Sequence, residues 1–177
     1  LAAHLVVREN RPDAAAGLVL PPLRGWLDRV QEQTSRLPYA QLVAAVRSGP
    51  PVWSPARLEA VDVETNTVEF FVHHEDVRRA REGWEPRELP ADGTAVLWDR
   101  VGKIGKLLLR RCPVGVLVRP TDGPAAGRTS RLRSGDRDVT LVGPVGEIVL
   151  AKYGRITSGL AIEGADDDVA AFLAFPR

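Results

Sequence analysis

The sequence predicts an α+β fold, with a helical bundle over residues 1–112 and a small α/β domain over residues 113–177. Three observations carry this division. Up to Cys112 the apolar residues recur at the 3.6-residue period of amphipathic helices, and from Pro113 onward they alternate with period two. Clusters of Pro, Gly and Asn punctuate the helical part at Asn10-Arg11-Pro12-Asp13, Ser48-Gly49-Pro50-Pro51 and Gly83-Trp84-Glu85-Pro86. A chain of 177 residues, 44% apolar and 27% charged, is long and apolar enough for one large core or two small ones.

Leu1, Leu5 and Val6 share one side of an opening helix over residues 1–9, which Asn10 to Asp13 should break, leaving a loop from Ala14 to Pro22. Leu23, Trp26, Leu27 and Val30 follow the i, i+3, i+4, i+7 rule and predict an amphipathic helix over 23–35. Another runs from Tyr39 to Arg47. Ser54-Pro55 has the form of an N-cap followed by proline at the first helical position, opening a short turn. Asn66 is placed to cap a helix from Thr67 to about Ala80, with Glu69 at its third position. Asp92 is placed to cap a long helix through Leu97, Trp98, Val101 and Leu108, ended by Pro113. Beyond it Val114–Val118, Arg128–Arg133 and Val139–Val142 read as three strands, separated by turns at Thr121–Pro124 and Ser134–Asp136. Gly143-Pro144 opens a helix to about Tyr153, Leu160–Glu163 forms a fourth strand, and Asp166–Phe172 a closing helix.

The charge balance, 24 basic against 23 acidic residues for a net +1, argues against a protein built to coat nucleic acid or an anionic membrane. No apolar run approaches the roughly 18 residues of a membrane span. Leu1 to Val7 is too short for a secretory signal core, and a single cysteine, Cys112, rules out an internal disulfide framework. Together these predict a soluble, cytoplasmic protein. The chain contains no Met and opens in the middle of a helical pattern without a cap, so a preceding N-terminal segment is expected, with an apolar face left exposed where that segment would pack.

The 3 histidines fall in two places, His4 and the pair His73-His74. Glu69 and His73 are spaced i, i+4, which on a helix stacks them on one face with Cβ atoms about 5–6 Å apart. One helix then offers an oxygen and an imidazole nitrogen to a single ion, and His4, on another helix, can supply a third ligand. Two histidines and one carboxylate leave positions open for water or substrate. Asp76 follows His73 by three on the same face, placed to accept a ring N–H. The competing reading is plain helix chemistry: Glu69 as a capping residue at the helix start, and His74-Glu75-Asp76 as a solvated face.

His4 within Leu-Ala-Ala-His-Leu-Val-Val-Arg-Glu, together with Glu69-x-x-x-His73-His74-x-Asp76, resembles the metal-binding signature of the mycothiol-dependent maleylpyruvate isomerase family, actinobacterial members of the DinB-like superfamily. Gly143-Pro-Val-Gly-Glu147-Ile-Val-Leu, Gly154-Arg155 and Glu163-Gly164 are similar to the end of the sterol-carrier-like domain that many members carry. The scarcity of Lys beside Arg, with abundant Ala and Val, agrees with a GC-rich coding sequence. The resemblance implies a DinB-like bundle, here lacking its first helix, followed by a sterol-carrier-like α/β domain. It implies a divalent metal, zinc above others, on His4, Glu69 and His73. It also implies mycothiol as co-substrate, its thiol activated for attack on a small electrophile to give an adduct or an isomer. A non-catalytic metal-binding or ligand-binding module is the alternative that fits the same residues.

The remaining features rank lower. Arg8, Arg78 and Arg79 lie near the candidate ligands and are either substrate-carboxylate contacts or ordinary exposed helix residues. Cys112 reads as a packing residue, and Trp26, Trp53, Trp84 and Trp98 as core or pocket wall. Seven arginines between Arg110 and Arg137 read as a solvated strand face, because no interleaved aromatics or nucleic-acid motif accompany them. Gly102-x-x-Gly105 inside a helical pattern reads as close helix packing.

Overall fold

A computed structural model of the chain describes residues 1–18, 20–51, 59–155 and 157–176. It is mixed α and β, as expected, and forms two compact units, Leu1–Asn66 and Thr67–Arg177.

In the first unit, helix α1 (Ala2–Asn10) ends at Arg11, whose backbone leaves the helical region (φ −130, ψ 69) because it precedes Pro12. The expected loop is instead wound into helical turns. Pro12 opens a short α2 (Pro12–Ala15), and two 3-10 turns follow at Ala16–Leu18 and Pro21–Leu23. Gly17 makes this possible, since a Cβ there would lie 2.7 Å from the Leu23 carbonyl oxygen and 2.8 Å from Leu27 Cβ. Helix α3 (Arg24–Ser35) turns Leu27 and Val30 inward against Val7 and Ala14, and α4 (Tyr39–Ser48) buries Leu42 against Ala3 and Val6. Ser54-Pro55 and Trp53 lie outside the described residues.

Helix α5 (Glu59–Arg79) begins well before Asn66. Asn66 therefore sits within the helix as a buried residue, and its side-chain nitrogen donates to Glu9 Oε1 of α1 at 3.5 Å. It is not a cap, because a long-range partner takes the side chain that a cap would turn onto its own backbone.

The second unit holds the rest of α5, then α6 (Ala91–Leu108), β1 (Gly115–Pro120), β2 (Ser130–Arg133), β3 (Asp138–Gly143), α7 (Val145–Lys152), β4 (Ala161–Glu163) and α8 (Asp166–Ala174). All four expected strands form one sheet in the order β2-β1-β3-β4, with β1 and β3 parallel and both outer strands antiparallel to their neighbours. Val116 and Val118 of β1 and Val139 and Leu141 of β3 face a core that also takes Val68 and Val72 of α5, Leu97 and Val101 of α6, Ile148 to Leu150 of α7 and Phe172 of α8. Cys112 is fully buried in it. The change from helical to period-two patterning falls inside the second unit, which begins within α5. No helix among the described residues is long and apolar enough to cross a membrane.

Two positions test this packing. A Cβ on Gly115 would overlap Asp138 Oδ1 and come within 2.8 Å of the Gly135 backbone nitrogen. The Asp side chain can move but the backbone cannot, so Gly115→Ala should cost roughly 1–3 kcal/mol in urea unfolding. Gly105 makes room for its neighbours as the helix-packing reading requires, since its Cβ would sit 3.1 Å from Leu132 Cδ1 and from Lys152 Nζ; Gly102 has nothing within 4 Å.

Lys152 is 1% exposed. Its Nζ donates to the Val101 carbonyl at 2.8 Å, and no carboxylate among the described residues pairs with it. Burial lowers its pKa to about 8. The unfolded chain therefore binds more protons between about pH 8 and the ordinary lysine pKa, and stability should rise with pH across that window. Lys152→Met should gain stability at pH 7, by roughly 3 kcal/mol at most, and the gain should vanish near pH 10.5 when urea midpoints are compared.

Candidate metal centre

Because α5 starts so early, Glu69 stands in the helix interior and the capping explanation for it falls away. The i, i+4 spacing places its Oε2 3.4 Å from His73 Nε2. On the other side of the ring, His73 Nδ1 lies 3.1 Å from Asp76 Oδ2. Asp76 is in turn gripped by Arg155, which follows α7: Nε and Nη2 donate to the two carboxylate oxygens at 3.1 and 2.9 Å. Arg155 Nη1 also donates to the Tyr153 carbonyl at 2.8 Å, which fixes the guanidinium plane. The Arg155 guanidinium, through its hydrogen bonds and charge, holds the Asp76 carboxyl below the usual carboxylate range.

An ionised Asp76 can only accept, so the ring proton sits on Nδ1 and donates to it. The other ring nitrogen, Nε2, faces Glu69 Oε2, an acceptor. A proton on Nε2 or a cation between the two atoms would suit this pair. The 3.4 Å separation is longer than a normal N–H···O bond. It matches the roughly 3.4 Å expected between two donors that share a tetrahedral zinc-like ion at about 2.0–2.2 Å. The donor set and its spacing therefore fit a divalent ion. His4, the third expected ligand, is partly buried on α1 in the first unit.

Glu75 is not part of a solvated face. It is 2% exposed and receives Arg78 Nη1 at 2.9 Å, Arg79 Nε at 3.0 Å and Arg87 Nε at 2.9 Å. Burial pushes its carboxyl up, but the bonds from Arg79 and Arg78 and the charges of Arg78 and Arg87 outweigh this and hold it low. Arg79 also reaches Glu147 of α7, with Nη1 3.2 Å from Oε2, while its guanidinium stacks 4.5 Å from the Trp84 ring centre. Glu147 accepts the Ser158 backbone N–H as well, at 3.0 Å. Arg78 and Arg79 are thus committed to carboxylates of their own chain, and this network locks α5, the segment after it and α7 together beside the candidate ligands. Trp98 packs on the second core, whereas Trp26 is partly exposed and donates to Asp13 at 3.0 Å.

Arg155 and Glu75 were not identifiable as such from local pattern. Glu147 and Lys152 left a signal, as charges within and at the end of the otherwise apolar stretch Val145 to Lys152. No protein-family model matches this chain, and no curated protein or solved structure is significantly similar to it.

Proposed function

We propose that the chain binds one divalent cation, of the zinc type, through His4, Glu69 and His73, and that it acts in the cytoplasm as a metal-dependent thiol transferase or isomerase of the mycothiol-dependent kind. The observation that carries the metal reading is the Glu69–His73 pair, an oxygen and a ring nitrogen held at coordination spacing with the ring tautomer set by Asp76. His4 belongs to the set through the resemblance of its segment. Within the first unit, the buried Glu9–Asn66 contact ties α1 to α5, and Glu69 follows Asn66 by one turn of the same helix.

When bound, such an ion supplies a positive charge that favours the thiolate of a coordinated low-molecular-weight thiol. The chain's own residues have a narrower task. Glu69 and His73 offer donor atoms, Asp76 keeps the ring proton on Nδ1, and Arg155 keeps Asp76 ionised and aimed. The chain's single thiol, Cys112, is buried in the core and is not offered as the nucleophile. The thiol and a small electrophile are accordingly read as the two substrates. The test is consumption of mycothiol with a panel of small electrophiles by the zinc-loaded protein. Turnover lost in His73→Ala supports the reading, and zinc binding without turnover of any member leaves a binding module instead.

A further inference from the structure

The metal reading leaves unused a groove of about 370 Å³ between α6 and the outer side of β2, lined by Val101, Gly102 and Lys106 on one wall and by Ser130, Arg131 and Leu132 on the other. β2 is one of the two edge strands of the sheet, and among the described residues its one strand partner is β1. Natural edge strands are blunted by charged side chains that cover the open ladder. β2 carries two arginines, but both heads turn back onto their own sheet. Arg131 donates to the two oxygens of Asp138 at 2.8 and 2.9 Å, and Arg133 to the Val114 and Ser134 carbonyls at 3.1 and 2.9 Å. Among the described residues no backbone hydrogen bond joins the outer edge of β2 to another segment.

The facing wall is shaped to match. Gly102 lies in the interior of α6, where glycine is unfavourable relative to alanine, yet a Cβ there would meet nothing within 4 Å. Its space opens onto the groove and admits a backbone close to the helix. The charge left over on the described lining is basic: Lys106 is exposed there, Arg131 is held by Asp138, and the groove's acid, Asp99, is ion-paired with Arg100.

We propose that this groove docks an extended acidic peptide segment of a protein partner, which adds to β2 as a further strand and sets a carboxylate against Lys106. Ladder hydrogen bonds supply the affinity in such strand addition, and alternate side chains supply the specificity. This inference is independent of the metal reading.

The test titrates the isotope-labelled full chain with a capped peptide of alternating Glu and Val, its Lys–Val counterpart and a single-stranded oligonucleotide, read by amide shifts and exchange. The Glu–Val peptide should shift and protect the amides of Ser130 to Arg133. Gly102→Leu should keep its helical circular dichroism and lose binding. Lys106→Glu should weaken the Glu–Val peptide about tenfold and improve the Lys–Val one, as a reversed rim charge does. The proposal is overturned by unshifted β2 amides, by equal binding of both peptides, by an oligonucleotide that binds these residues in preference, or by β2 shifts that arise from self-association alone.

Discussion

Glu75→Ala is expected to lower the stability of the second unit by about 3–5 kcal/mol, because it removes one member of a buried charge cluster and leaves the others unpaired. Arg78, Arg79 and Arg87 all converge on this carboxylate, which is 2% exposed. Arg79 would retain Glu147, but Arg87 would keep only its contact with His74 among the contacts described here. Glu75→Gln, which preserves shape and loses charge, should fall between the two. Urea unfolding in the presence of a chelator isolates the effect from metal binding. A loss below about 1 kcal/mol would place Glu75 among ordinary surface ion pairs and contradict the network described here.

The second large effect concerns the ion. His73→Ala should abolish binding of one divalent cation, since it removes the imidazole nitrogen that Glu69 faces at 3.4 Å. Asp76→Ala should leave the ligands in place and still weaken zinc affinity by about 10–100-fold, the scale on which groups that orient a ligating histidine act. Asp76→Asn should cost less, because its amide oxygen can still accept the Nδ1 proton at the 3.1 Å separation seen here. Competition titration against a chromophoric zinc chelator, with circular dichroism to confirm folding, measures all three. Equal affinity in Asp76→Ala and the unaltered chain would mean that Asp76 does not orient His73.

Much of this architecture was legible in the amino-acid pattern. The four strands and helices α6 to α8 announce themselves through period and punctuation, because each buries one face on a common core. The errors have separate physical causes. Ala14 to Pro22 carries two prolines and a glycine, which look like a loop, but here Pro21 and Pro22 open one 3-10 turn and Gly17 lets the chain close on Leu23 and Leu27. Asn66 has the chemistry of a cap, yet its partner is Glu9, 57 residues away, and local pattern carries no trace of that contact. The Glu69–His73 pair was visible because helical spacing alone brings the two together. The tie from Arg155 to Asp76 was not, since 79 residues separate them. Dense local charge likewise disguised Glu75 as part of a solvated face.

The measurement that bears most directly on the central claim is the metal content of the protein purified without chelators, determined by mass spectrometry alongside His4→Ala and His73→Ala. About one zinc-like ion per folded chain is expected, lost in both variants while their folds persist. A folded chain that carries no divalent ion and takes none up from added zinc would contradict it, and would assign the Glu69–His73–Asp76–Arg155 series to holding α5 against the segment that follows α7.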